Sequence, residues 1–242
     1  MNDKDTLYQS MPAGAGSFRF DQRVVEVFAD MIDRSVPGYS LIIPMIGQLA
    51  RRYAQPGSVV HDLGCSLGAA SLAMRHALVG EQVRIVATDS SLPMVERLRQ
   101  HLQADGPGVP VDVVHGDVRD TDFSGASLVV LNFTLQFIAP DERPLLLRRI
   151  ADALPVGGAL ILSEKICFED PQEQERQTDW HHDYKRYNGY TDLEIARKRT
   201  ALEAVLLPET ESRHIQRLQD SGFTRVTRWF QCFSFCSFLA EK

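Results

Sequence analysis

The sequence predicts an α/β fold: a mostly parallel seven-stranded sheet flanked by helices, closed by a C-terminal antiparallel hairpin. Three observations predict it. Short β-branched runs alternate with helical stretches over residues 56–165, the pattern of consecutive strand–helix units that build a parallel sheet. Two apolar runs end the chain with only a short connection between them, so they pair antiparallel. A chain of 242 residues also buries a substantial core without disulfide or metal staples.

Taken in order, residues 1–55 supply an arm and helices, with 1–20 reading as a loose arm. Val24, Val27, Phe28, Met31 and Ile32, then Leu41, Ile42, Met45, Ile46 and Leu49, recur at helical spacing, and Pro37-Gly38 divides them into two helices. The core, 56–165, has strands at 58–62, 83–89, 111–115, 127–132 and 159–163, with helices near 67–78, 93–103 and 141–153 between them. Residues 166–222 form a polar, helical insertion with no strand candidate. The last unit, 223–242, holds the runs 223–230 and 232–239. No repeat or long linker interrupts these units, so a single domain is expected.

Composition narrows the function. With 26 Lys+Arg against 32 Asp+Glu the net charge is −6, which argues against a surface built as a whole to grip nucleic acid, though not against a local basic patch. No run approaches the roughly 20 apolar residues of a bilayer span, and Met1–Phe20 lacks an apolar signal core. A cytoplasmic protein with no direct nucleic-acid or membrane contact is expected. Cys65, Cys167, Cys232 and Cys236 include no Cys-x-x-Cys pair and read as reduced thiols rather than a disulfide or zinc set. His181-His182-Asp183 has no matching cluster elsewhere, and adjacent helical histidines do not share a ligand face, so a structural role is expected and no metal.

The chemistry concentrates at strand ends. Val59-Val-His-Asp62-Leu-Gly64-Cys65-Ser66-Leu-Gly68 runs from strand to helix, with Gly64 at the tight turn and Gly68 where the helix packs on the sheet. The dinucleotide pattern G-x-G-x-x-G is absent, because Ser66 follows two positions after Gly64. Asp62 ends the first strand and suits a ligand with a cationic amino acid. Asp89 ends the second and can accept both hydroxyls of a ribose. Asp117 follows the third strand, placed to accept from an adenine amino group, and Asn132 ends the fourth. A glycine turn with helix- and turn-capping residues is the alternative for each taken alone. Four polar ends on one rim favour a nucleoside site.

This pattern, with Pro155-Val-Gly157-Gly158 before the fifth strand, resembles the Rossmann-like class I S-adenosylmethionine-dependent methyltransferases. More specific runs, Arg34-Ser-Val-Pro-Gly-Tyr-Ser40, Asp62–Ala70, Val130-Leu-Asn-Phe-Thr-Leu-Gln-Phe137, His181-His-Asp183 and Trp229-Phe-Gln-Cys-Phe233, resemble the carboxy-S-adenosylmethionine synthase family within that fold. The resemblance implies an enzyme that joins S-adenosyl-L-methionine as substrate with prephenate, giving carboxy-S-adenosyl-L-methionine and phenylpyruvate. It implies a homodimer whose product passes to a tRNA uridine carboxymethyltransferase for wobble-uridine modification. It implies a site of Tyr39, Gly64, Cys65, Ser66, Asp89, Ser90, Asp117, Val118 and Asn132, with Arg199 holding the new carboxylate. An ordinary small-molecule methyltransferase is the alternative.

Helical spacing bears on Arg199. Thr191-Asp-Leu-Glu194 is a capping-box pattern, and Ile195, Leu202, Val205 and Leu206 form an apolar face. Arg199, four after Ile195 and three before Leu202, is expected on that inward face, where it pairs with a ligand carboxylate; the alternatives are that it snorkels to water or pairs with a structural acid such as Glu164. Lys185, Arg186, Arg197, Lys198 and Arg199 against Asp192 and Glu194 give segment 184–199 a net charge of +3, which would draw a dianionic substrate such as prephenate; a solvated helical face is the alternative for all but Arg199.

Overall fold

A computed structural model describes residue 5, residues 21–203 and residues 205–242. The expected arm, Asp5 apart, lies outside the described residues. The first two helices are α1 (Gln22–Ser35) and α2 (Tyr39–Tyr53), broken at Pro37-Gly38 as the sequence predicts. Asp21 starts α1 by accepting hydrogen bonds from the backbone N–H groups of Arg23 at 3.1 Å and Val24 at 3.2 Å. The alternating core follows: β1 (Val59–Leu63), α3 (Ala69–Ala77), β2 (Arg84–Asp89), α4 (Leu92–Ala104), β3 (Val111–His115), β4 (Ala126–Asn132), α5 (Arg143–Ala153) and β5 (Ala159–Cys167). Next come α6 (Pro171–Tyr187), α7 (Asp192–Glu203), β6 (Glu209–Thr210) and α8 (Glu211–Asp220), then the hairpin β7 (Arg225–Cys232) and β8 (Phe235–Glu241).

The sheet order is β3-β2-β1-β4-β5-β8-β7. The first five strands are parallel, β8 is antiparallel to β5, and β7 is antiparallel to β8. β4 shows why the sheet needs helices on both faces. Leu128 and Val130 point into one core with Ile42 and Ile46 of α2 and Met74 of α3. Val129 and Leu131 point into the other, with Leu146, Leu147 and Ile150 of α5. Each such side chain, fully buried, stabilises the fold by about 1.5–3 kcal/mol. A strand apolar on both faces gives the continuous run that the sequence displays.

Two expectations are corrected. The insertion does contain a strand: Glu209–Thr210 pairs in parallel with Ile166 and Cys167, beside the seven-stranded path. It has no apolar alternation. What pins it is charge, since Glu209 accepts ion-paired hydrogen bonds from Arg143 and Arg217. β5 also continues past Ser163 to Cys167, because β8 pairs along it as far as Lys165–Phe235 and β6 pairs with Ile166 and Cys167.

Candidate active site

The strand order reverses between β1 and β4, and there a cavity of about 450 Å³ opens at their carboxyl ends. Ligands of open α/β sheets bind at this reversal. The turn after β1 forms its floor. Gly64 has φ +74°, and a Cβ there would stand 2.3 Å from Thr134 Oγ1. Gly68 has φ +86°, and a Cβ there would meet Leu98 Cδ1 at 2.1 Å. Only glycine satisfies both the left-handed backbone and the close approach.

Asp89 ties this turn to the next strand. Its Oδ2 accepts from the backbone N–H of Ser66 at 2.8 Å, and its Oδ1 accepts from that of Ser91 at 2.8 Å. Burial raises its carboxyl above the usual range, and these N–H groups partly counter that. Each oxygen keeps further acceptor capacity, and the residue lines the cavity. Asp62 is fully buried, with the Ser71 hydroxyl donating to it at 2.5 Å, and burial pushes its carboxyl up to about 6. Burial and the nearby charge of Asp62 push the Tyr39 hydroxyl up as well.

Farther along the rim, Asp117 is held by Arg119, whose backbone N–H donates at 2.9 Å and whose guanidinium lies 2.6 Å away. That guanidinium also pairs with Glu142 at 2.7 Å. Hydrogen bonding to Arg119 therefore lowers the Asp117 carboxyl. The Asn132 Oδ1 is buried and has no hydrogen-bond partner among the described residues. Tyr39, Gly64, Cys65, Ser66, Asp89, Ser90, Asp117, Val118 and Asn132 all line this one cavity.

Arg199 does not line it. The capping box of α7 forms as predicted, with the Thr191 N–H donating to Glu194 Oε2 at 2.8 Å and the Glu194 N–H to Thr191 Oγ1 at 3.3 Å. The buried arc of the helix, however, runs through Glu194, Ile195 and Lys198. At about 100° per residue, Arg199 falls roughly 40° beyond Ile195, outside that arc. It is exposed in a shallow depression with His182, Arg186 and Asp192. The cation that α7 turns inward is Lys198.

Besides Arg119, which is paired with Asp117 and Glu142, four basic groups that spacing did not place in the site line the cavity: Lys165 near the end of β5, His181 and Lys185 on α6, and Lys198 on α7. Lys198 donates to Ser35 Oγ at 3.1 Å and lies 3.9 Å from the Asp5 carboxylate. His181 Nε2 is 2.8 Å from the Ser35 carbonyl, and burial drives the ring well below its usual value, so it is neutral and Nε2 is the donor. The available signal was the four-residue spacing of His181 and Lys185, which puts them on one helical face. The apolar content of α6 is too low to show which face turns inward.

Among the described residues no group of three or more His, Cys, Asp or Glu is arranged to hold a metal ion, and no helix is long and apolar enough to cross a membrane. All four cysteines stand as free thiols, with Cys65 and Cys236 buried. The strand-end half of the cavity suits a cationic nucleoside. Asp62 is a buried carboxylate held by the hydroxyl and backbone N–H of Ser71 with no cation beside it among the described residues, Asp89 has acceptor capacity to spare, and Asn132 Oδ1 is an orphaned acceptor among the described residues. A bound ammonium and ribose would satisfy all three.

A family model described as "Methyltransferase domain" matches residues 60–158. Human N-acetylserotonin methyltransferase in complex with SAM superposes with a TM-score of 0.61 at 18% identity, over 91% of this chain and 55% of that one. The cyclopropane synthase MmaA2 of Mycobacterium tuberculosis gives 0.57 at 18% identity, over 77% of this chain and 62% of that one. The chain spans less than two thirds of either protein, and both likenesses concern the fold alone. Carboxy-S-adenosyl-L-methionine synthase of Enterobacter sp. (strain 638) is 53% identical over all 242 residues and 98% of its own length. The enzyme of that name from Escherichia coli (strain K12 / DH10B) is 52% identical over the same span. With that identity running the full chain, and the expected nucleoside residues gathered in one cavity, the protein belongs to the carboxy-S-adenosyl-L-methionine synthase family.

Proposed function

We propose that the protein converts S-adenosyl-L-methionine and prephenate to carboxy-S-adenosyl-L-methionine, phenylpyruvate and water. One observation carries this reading: the cavity is divided by charge. Carboxylates at the ends of β1 and β2 line one part, and cations from β5, α6 and α7 line another. A methyl donor with a net positive charge suits the first, and a dianionic co-substrate suits the second. A transferase acting on a neutral acceptor has no need of buried cations beside the methyl group.

In this reading Asp89 accepts the ribose hydroxyls, Asp117 and the backbone at Val118 meet the adenine, and Asp62, Tyr39 and Asn132 surround the amino-acid end. Gly64, Cys65, Ser66 and Ser90 bring the backbone close to the ligand. The co-substrate ring aromatises, losing carbon dioxide and hydroxide. The hydroxide takes one proton from the methyl group, which captures the carbon dioxide, so atoms and charge balance without a protein base. The chain's contribution is proximity, exclusion of water and compensation of negative charge. The product would pass to a tRNA uridine carboxymethyltransferase, and we propose a cytoplasmic homodimer that leaves RNA contact to that partner. Arg199 enters this reading from family resemblance; its position on the outer flank of α7 does not itself support carboxylate binding.

Incubating the protein with S-adenosyl-L-methionine and prephenate, then weighing the nucleoside, tests the function. A product heavier by one carbon dioxide is expected, and S-adenosylhomocysteine alone would refute it. Arg199→Ala in the same assay decides that residue, since unchanged turnover removes it from the site.

A further inference from the structure

We propose that Lys165, Lys185 and Lys198 form the seat of the dianionic co-substrate, with the Lys165 and Lys185 ammonium groups taking its two carboxylates. The assignment rests on the function proposed above and names the part of the site that holds the second reactant.

Three ammonium groups from three separate elements converge in one cavity of a protein whose net charge is −6. Their circumstances differ. Lys198, 5% exposed, already has company: the Ser35 hydroxyl at 3.1 Å, the Tyr190 hydroxyl at 3.5 Å and the Asp5 carboxylate at 3.9 Å. Lys185 is 8% exposed, and its ammonium has neither a carboxylate nor a hydrogen-bond partner among the described residues. The charges that act on it are Lys198 and Lys165, both positive. The Lys165 ammonium is likewise unpartnered there, facing only the Phe235 ring at 6.0 Å, and the charge that acts on it is Arg199.

Lys185 is buried and Lys165 half-buried, and an ammonium that loses part of its hydration without gaining a partner is not placed for stability. Two such groups beside a third, already partnered, are a site awaiting two negative charges. A dicarboxylate supplies that number. The wall between them is aromatic: the Phe235 ring meets His181 edge-on at 4.9 Å and Phe133 at 5.9 Å. An apolar six-membered ring bearing two carboxylates matches cations set around an aromatic wall. The groups facing Lys185 are Lys165 from β5, neutral His181 on its own helix and Lys198 from α7. Burial and these like charges bring Lys185 down to about 7 and burial brings Lys198 down to about 8, so an arriving dianion would draw protons onto them.

Isothermal titration of prephenate into the full-length protein, saturated with S-adenosylhomocysteine, tests the seat. Lys185→Met and Lys165→Met should each weaken prephenate binding by roughly 30-fold, the scale of a lost charge-assisted contact. S-adenosyl-L-methionine affinity should stay within about twofold, which also reports that the variants fold. Lys185→Arg should recover most of the affinity. The parent should take up protons on binding near pH 8, seen as a dependence of the heat on buffer ionisation enthalpy, and Lys185→Met should lose part of that uptake. Variants that bind prephenate and turn over as the parent does overturn the lysine assignment while leaving the function standing. A parent that neither binds prephenate nor forms carboxylated product overturns both.

Discussion

The backbone N–H of Ser66 donates to Asp89 at 2.8 Å, so the turn after β1 and the end of β2 act as one unit. The second Asp89 oxygen accepts from Ser91 at 2.8 Å, and the carboxylate thereby holds both rims of the proposed ribose site.

Asp89→Ala removes these anchors together with the ribose acceptor. Hydrogen bonds to a charged group contribute about 1.5–3 kcal/mol each, so S-adenosyl-L-methionine affinity should fall about 10- to 100-fold. Asp89→Asn should lie between, because its amide keeps only one acceptor oxygen. Titration calorimetry measures both, and an unchanged affinity would rule Asp89 out as the ribose carboxylate.

Gly64→Ala is expected to destabilise the protein. The left-handed backbone at φ +74° costs about 1–2 kcal/mol for a residue with a Cβ, and the new carbon overlaps Thr134. Adding Thr134→Ala removes the Oγ1 contact at 2.3 Å but not the backbone strain, so Tm should recover only in part. Full recovery in the double variant would show that backbone conformation is not the constraint.

Binding of S-adenosyl-L-methionine should weaken in acid. Asp62 has its carboxyl raised from 3.8 to about 6 by burial, so the free protein protonates it as pH falls through that value. A bound ammonium needs the carboxylate and must expel this proton. Affinity should therefore be nearly flat above pH 7 and fall by up to about tenfold per pH unit below 6. Asp62→Asn should bind weakly with a flatter profile, and the parent's profile staying level between pH 5 and 7.5 would exclude the role.

Arg143 is fully buried and holds the chain between α7 and α8 against the core. Its Nε donates to the Ile138 carbonyl at 2.9 Å and its Nη2 to the Leu207 carbonyl at 2.8 Å, while it pairs with Glu209. Arg143→Met should cost about 3–5 kcal/mol, because carbonyls and a carboxylate lose their partner in the interior. Urea unfolding reads this directly, and a loss below about 1 kcal/mol would show that solvent replaces the contacts.

How much was legible depended on where the signal lay. The strands of the parallel core announce themselves because burial on both faces demands β-branched runs, and Gly64, Asp62 and Asp89 sit at their ends by construction. Eight of the nine residues expected around the nucleoside thus reach one cavity through strand-end topology, and Tyr39 reaches it from the start of α2. The two-residue β6 was not legible, since an ion pair with Arg143 holds it rather than any alternation. Which of Lys198 and Arg199 turns inward was not legible for a similar reason. The apolar positions of α7 are compatible with either residue turning inward, and helical spacing alone left the orientation open by about one side chain.

The sequence by itself determined the strand order's raw material, the glycine turn and the acidic strand ends, because local backbone needs and short-range periodicity write these into adjacent residues. Only the tertiary structure decided which cations face the site. Lys165, Lys185 and Lys198 come from three successive elements whose inward faces local periodicity does not mark, and the rotation of α6 and α7 is set by contacts such as His181 and Lys198 with Ser35 of α1, far away in the chain. A helix carrying charge on every side takes its inward face from what it docks against.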